Sequence, residues 1–376
     1  MSKNDVTRSS KFLQVSARLD LTKGQKWLIK LFGILAGLIL CALVCTIINP
    51  GTFFAYFQKV IQGCFTTPRK ILSLLEETAV LFLIALALAP AFKMKFWNIG
   101  AEGQVLMGAL GCVIIMKFLG PTFRGFDFAT IALELIVSIL FGVAWGLIPA
   151  VFKAYFGANE TLFTLMMNYI AKGIILLLTA IWYPKGSGIM PSFDDGILPM
   201  IGSYDYIINI IVIALVAIAV SLYLLYSKHG YEISVIGGSE NTARYVGINV
   251  KLVTIRTMIL SGALCGLVGF LITSGANHSV NELSAGGRGF TAILICWLSN
   301  FDPLEMLATS FVVALINNGS KYACDQFHSA GPFENIVIGI FFFTIIASTF
   351  FLSYKVKLNF SVFKKKKQDD ENKEVA

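Results

Sequence analysis

Five runs in this chain are apolar over most or all of the length that a bilayer demands. They are "LFGILAGLILCALVCTII" (31–48), "TAVLFLIALALAPAF" (78–92), "ATIALELIVSILFGVAWGLIPAVF" (129–152), "IINIIVIALVAIAVSLYLLY" (207–226) and "IVIGIFFFTIIASTFFL" (336–352). Apolar stretches of about 18 residues or more with few charges read as membrane-spanning helices. Only 14% of the residues are charged, against about a quarter in soluble domains. The fold class expected is an all-α polytopic membrane protein.

Ten spans fit best, at roughly 27–48, 75–92, 99–118, 129–152, 160–183, 205–226, 254–275, 288–299, 303–318 and 333–354. Eight or nine remain if the short ones are re-entrant. "LICWLSNFDPLEML" breaks at Asn300–Asp302–Pro303, as a discontinuous helix pair would. An even count puts both tails on one side. With the tails inside, 21 Lys/Arg are cytoplasmic, eight are outside and Lys172 lies within a span, which fits the positive-inside rule. The expected organisation is a basic cytoplasmic segment (1–26), a transmembrane domain (27–354) and a basic, disordered cytoplasmic tail (355–376).

The net charge of +8 comes entirely from those tails. Residues 1–30 carry seven Lys/Arg and two Asp, residues 355–376 carry seven Lys and four acids, and the middle balances at 16 of each sign. A nucleic-acid role is therefore not indicated. The first run looks like an uncleaved first span rather than a signal peptide. Seven scattered cysteines lack a C-x-x-C pair and read as buried thiols, while His229, His278 and His328 lack metal-ligand spacing. No P-loop, nucleophile elbow or zinc-protease motif occurs, so the chain itself is expected to bind no ATP and catalyse nothing.

Polar residues inside the spans carry the functional signal. In "KFWNIGAEGQVLMGALG" (95–111), Asn98 and Glu102 share one face if helical, while Gly100, Gln104, Gly108 and Gly111 line another. In the fifth span Glu160, Thr164, Asn168 and Lys172 form a stripe that cannot face lipid cheaply. Two readings stand: an interhelical hydrogen-bond seam, or the wall of a polar path. Asn98, Gln104 and Asn168 suit a path for a neutral hydroxylated substrate; Glu102, Glu160 and Lys172 suit pairing between helices. "GGRGFTAIL" (286–294) suggests either a phosphate site or a flexible entry into a helix. Residues 227–253 form the longest polar cytoplasmic stretch, in which Ser239 caps a short helix ending at Gly247. That helix either lies on membrane lipid or docks another subunit.

Taken together, these segments resemble ABC importer permeases for nucleosides and simple sugars. "FWNIGAEGQ" is similar to their F-N-I-G-x-E-G-Q signature, and "GANETLFTLMMNYIA" (157–171) to their N-E-x-x-x-T-x-M-x-N-Y-I-A segment. "GYEISVIGGSENTARYVGINV" resembles their ATPase-contacting loop, and "GRGFTAILICWLSNFDPL" a late family segment. The nucleoside permeases are the closest fit. The resemblance implies a substrate path including Asn98, Glu102, Gln104, Thr164, Asn168 and Lys172. It implies ATPase docking through Tyr231, Glu232, Gly237, Asn241, Arg244, Tyr245 and Gly247. Ser234 and Ser239 depart from the family's usual Arg and Asn. Implied partners are an ABC ATPase carrying ATP and Mg, a second, paralogous permease subunit and a substrate-binding lipoprotein, with this chain holding no cofactor. Ribose- or galactose-like sugars and a riboflavin-like ligand are alternative cargoes. An ATP-independent carrier or channel is the alternative class.

Overall fold

The computed structural model describes residues 13–17, 22–123, 127–184, 189–202, 204, 206–327 and 331–358. Most of residues 1–21, the tail after 358 and His328 lie outside the described residues.

The helices are α1 (Lys23–Ile48), α2 (Phe53–Phe65), α3 (Pro68–Lys93), α4 (Ala101–Phe118), α5 (Asp127–Phe156), α6 (Glu160–Trp182) and α7 (Tyr206–Tyr226). They continue with α8 (Lys228–Gly238), α9 (Glu240–Tyr245), α10 (Val250–Ile272), α11 (Arg288–Leu298), α12 (Pro303–Gln326) and α13 (Gly331–Ser353). Their starts follow local chemistry. Thr22, Thr67, Asn159, Ser227, Ser239 and Asn249 each accept a backbone N–H from the first turn of the helix that follows. Such caps satisfy donors that a helix leaves unpaired.

Seven helices among the described residues are long and apolar enough to cross a membrane, with shorter apolar helices at Arg288–Leu298 and Ile336–Leu352. The chain is thus an all-α polytopic membrane protein. Helix occupies each of the ten expected segments, and α2 and α8 are additional.

The chain divides into two compact units. In the first, formed by residues 1–59 and 323–376, α1 packs along α13. Cys41 Sγ donates to the Val337 carbonyl at 3.2 Å. A two-stranded antiparallel sheet pairs β1 (Leu13–Ala17) with β2 (Tyr354–Leu358). Residues 355–358 of the expected disordered tail are therefore a strand. Val356 and Leu358 alternate with Lys355 and Lys357, a period-two pattern that suits one.

The second unit, residues 60–322, is built around α4, which is buried along nearly its whole length. Helices α5 and α10 cross it closely. A Cβ on Gly266 would sit 2.5 Å from the Ser138 carbonyl oxygen, and one on Gly108 would sit 2.6 Å from Gly266 Cα. Only glycine permits this backbone approach, which replaces the hydrophobic drive that lipid does not supply. Beyond α10 the chain makes a π turn at Thr273–Asn277, reverses at His278 and returns to start α11 beside α4.

Candidate functional site

The stretch "FWNIG" enters α4 as a loop, not as helix. Helix α4 begins at Ala101 with Gly100 as its cap, so Asn98 and Glu102 do not share a helical face. Asn98 instead folds back. Its Oδ1 accepts from Gly100 N at 3.0 Å and from Gln104 Nε2 at 3.4 Å, while its Nδ2 donates to Ser261 Oγ on α10 at 3.2 Å. A short amide side chain competes readily for nearby backbone donors, which ends helix before that point.

Helix α6 clamps the same loop. Thr164 Oγ1 accepts from Ile99 N at 3.1 Å. Asn168 Oδ1 accepts from Gly103 N at 2.8 Å, and its Nδ2 donates to the Ile99 carbonyl at 3.0 Å. Asn98, Gln104, Thr164 and Asn168 are all buried, and Gln104 Oε1 has no partner among the described residues. Thr164 and Asn168, the two middle members of the stripe on α6, thus make a hydrogen-bonded seam with the start of α4 and the loop before it.

Pairing within the stripe differs from the sequence expectation. Glu160 pairs with Lys153 at 2.7 Å, because only a three-residue turn separates α5 from α6. Lys172 therefore does not pair with Glu160 or Glu102. It is half-buried in mid-span and makes no ion pair among the described residues.

Glu102 caps α11. Its Oε1 accepts from Gly287 N at 2.8 Å and its Oε2 from Gly289 N at 2.9 Å. The carboxylate meets the positive end of that helix, the position an external phosphate would take. The phosphate reading of "GGRGF" is thereby overturned: the protein supplies its own anion. Gly287 has φ +75°, and a Cβ on Gly289 would run into Glu102 N, so both positions require glycine.

Between these two glycines, Arg288 forms a bidentate bridge to Glu77 on α3. Its Nε lies 3.0 Å from both carboxylate oxygens and its Nη2 lies 2.7 Å from Oε2. Nearby on α3, Glu76 Oε1 accepts from Asn209 Nδ2 at 3.0 Å. Sequence reasoning missed Glu76, Glu77, Arg288 and Asn209. The Glu76–Glu77 pair at the edge of an apolar run was the available signal.

The expected docking loop is a pair of helices, α8 and α9. Ser239 caps α9, and Gly247 at φ +85° follows it. Gly237 packs backbone to backbone on the end of α3 at Lys93. Glu232 is buried and lies 3.7 Å from both Lys228 and Arg256. Arg244 pairs with Glu240 at 2.6 Å, and Asn241 is exposed. Among the outward side chains, three are large and apolar: Tyr231, Tyr245 and Val246 are 62%, 92% and 64% exposed.

His229 anchors α8 from within. Its ring nitrogens lie 3.1 Å from Tyr223 Oη and 3.0 Å from Thr257 Oγ1. Burial, reinforced by nearby Arg256, holds its pKa below the ordinary 6.5. The folded state thus keeps a neutral ring that the unfolded state protonates more readily. Its stabilisation is complete above about pH 6.5 and declines as pH falls towards the folded pKa. The melting temperature of the detergent-purified protein should drop below that pH. His229→Gln should flatten part of the drop; an unchanged pH slope in the variant would contradict this role.

Among the described residues, no group of three His, Cys, Asp or Glu is arranged to hold a metal. The described seam, cap and exposed knob position helices and a partner surface; they assemble no nucleophile with a base.

Comparison with known proteins agrees. The family described as branched-chain amino acid transport system / permease component matches residues 70–346. The guanosine ABC transporter permease protein NupP of Bacillus subtilis is 26% identical over 347 residues, covering 90% of this chain and 97% of its own. The nucleoside ABC transporter permease protein NupB of Lactococcus lactis is 24% identical, covering 79% and 85%. The glucose ABC transporter permease protein TsgB13 of Haloferax volcanii is 25% identical, covering 87% and 89%. No solved structure matches. The chain belongs to the branched-chain amino acid transport system permease family, as a non-catalytic, multi-pass membrane subunit of an ABC importer.

Proposed function

We propose that this permease forms the translocation path of an importer for nucleosides. The observation that carries the reading is the near end-to-end similarity to the guanosine permease protein NupP, with 97% of that protein covered. The nucleoside permease protein NupB adds weight. The path runs along the wall built by α4 and α6: Asn98, Thr164 and Asn168 hold that wall together, Gln104 Oε1 keeps a neutral acceptor with no partner among the described residues, and Glu102 holds the neighbouring helix. Neutral amides exchange hydrogen bonds with ribose hydroxyls and base edges without trapping the cargo by charge.

A second, paralogous permease subunit completes the path. Lys172 supports this, because a half-buried cation about 15 Å along the helix from its nearer end is too deep to reach lipid headgroups and needs polar cover. The exposed apolar side chains of α8 and α9 dock on the ABC ATPase, which binds ATP and Mg, and this chain binds no cofactor of its own. Both termini lie in the cytoplasm, and a substrate-binding lipoprotein delivers cargo from outside.

Uptake of radiolabelled guanosine in cells carrying or lacking this chain tests the cargo. Competition by unlabelled nucleosides, with none by glucose or riboflavin, is the expected pattern. Competition by glucose alone would move the assignment to sugars, as the similarity to TsgB13 allows.

A further inference from the structure

The ends of α3, α5 and α10, with the inner side of the docking helix α9, line a recess of about 320 Å³ to which the transport reading assigns no ligand. Lys95, Lys153, Arg244 and Lys251 line it together with Glu240 and Ile236. Glu160 answers the charge of Lys153 at 2.7 Å, and Glu240 answers that of Arg244 at 2.6 Å. Among the described residues, Lys95 and Lys251 have no acidic partner. Lys251 lies 5.0 Å over the ring of Tyr155, a contact that leaves its charge uncompensated. Four cations against two carboxylates leave two positive charges facing one recess.

The backbone holds one of them there at a cost. Lys95 follows the end of α3 in the left-handed region, at φ +63°, with its N–H donating to the Phe92 carbonyl at 2.9 Å. A non-glycine residue adopts that conformation with strain, and such outliers often mark binding sites.

Helix α5, which lines the recess through Lys153 and Ala154, carries an aromatic flank near its end. Phe152, Tyr155 and Phe156 are exposed on the last turns of α5, and Phe152 packs against Phe163 with ring centroids 5.0 Å apart. A basic recess between spanning helices, beside exposed aromatics, suits a molecule with an anionic head and an apolar tail.

We propose that this cavity binds the phosphate of an anionic phospholipid headgroup, with the acyl chains lying along Phe152, Tyr155 and Phe156. The proposal rests on the reading that the α8–α9 end is cytoplasmic, the leaflet where anionic headgroups meet basic segments. A zwitterionic lipid would leave the two free cations unanswered. A soluble phosphate would leave the aromatic flank uncovered.

Native mass spectrometry of the full chain in detergent tests this with phosphatidylglycerol and phosphatidylcholine. Lys95→Ala with Lys251→Ala should lower phosphatidylglycerol occupancy by about tenfold or more. Lys59→Ala with Arg69→Ala, which removes equal charge elsewhere, should leave it unchanged. Phosphatidylcholine should bind weakly to all three, and millimolar inorganic phosphate should not displace the lipid. Equal phosphatidylglycerol binding in both double variants would overturn the proposal. Displacement by inorganic phosphate would also overturn it, in favour of a soluble anion. The readout needs neither the ATPase nor the cargo, so it fails or succeeds separately from the transport reading.

Discussion

Tyr245→Asp, or Val246→Asp, should abolish co-purification of the ATPase and reduce transport to background while the permease still inserts. Both side chains protrude, at 92% and 64% exposure, from the short helix α9 and its end. Neither supports the fold of the isolated chain, so the aspartates cost it little. In the assembled transporter each would bury an unpaired charge in an apolar contact, a penalty of about 3 kcal/mol or more. That is over a hundredfold in affinity. Pull-down of the ATPase, alongside membrane yield of the permease, measures both effects. Retained co-purification with normal uptake would show that α9 is not the docking knob.

Glu102→Leu should cause a comparable loss by a different route. The carboxylate is buried and takes the N–H groups of Gly287 and Gly289, 185 and 187 residues away in sequence. Leucine leaves the buried Gly289 N–H and the half-buried Gly287 N–H without this partner, at about 1–3 kcal/mol for the buried one. The bridge of Arg288 to Glu77 lies between those two glycines and would lose its register. Yield and thermal stability of the purified protein should fall sharply, with transport lost in consequence. Glu102→Gln, which keeps one acceptor, should be intermediate. A Leu variant with normal yield but no uptake would instead make Glu102 a direct contact of the cargo.

These two residues illustrate what a single sequence can carry. The capped helix at Ser239 was legible because its signals are local: a serine, a short helical run and a glycine. The apolar runs likewise revealed the spans, since length and hydropathy belong to each segment alone. Glu102 was visible as polar, but its partners were not, because nothing local ties it to a glycine pair in a distant loop. Asn98 was misplaced on a helix for the opposite reason. Its side chain bonds the Gly100 amide two residues on, and this local competitor prevails over the apolar run that follows. Lys172 was expected to pair with Glu160 or Glu102. The turn between α5 and α6 brings Lys153 to Glu160 first, and Glu102 is spent on backbone. Helix α2 escaped notice because it is too short to read as a span.

The central claim is that this chain conducts cargo passively and draws its energy from a separate ATPase. The most direct measurement is guanosine accumulation in proteoliposomes holding the permease with its co-purified partners and the binding lipoprotein. Accumulation should require ATP and should vanish when the ATPase is omitted or when Tyr245→Asp removes its docking site. Accumulation driven by an ion gradient, with no ATPase present, would contradict the account and make the chain a carrier.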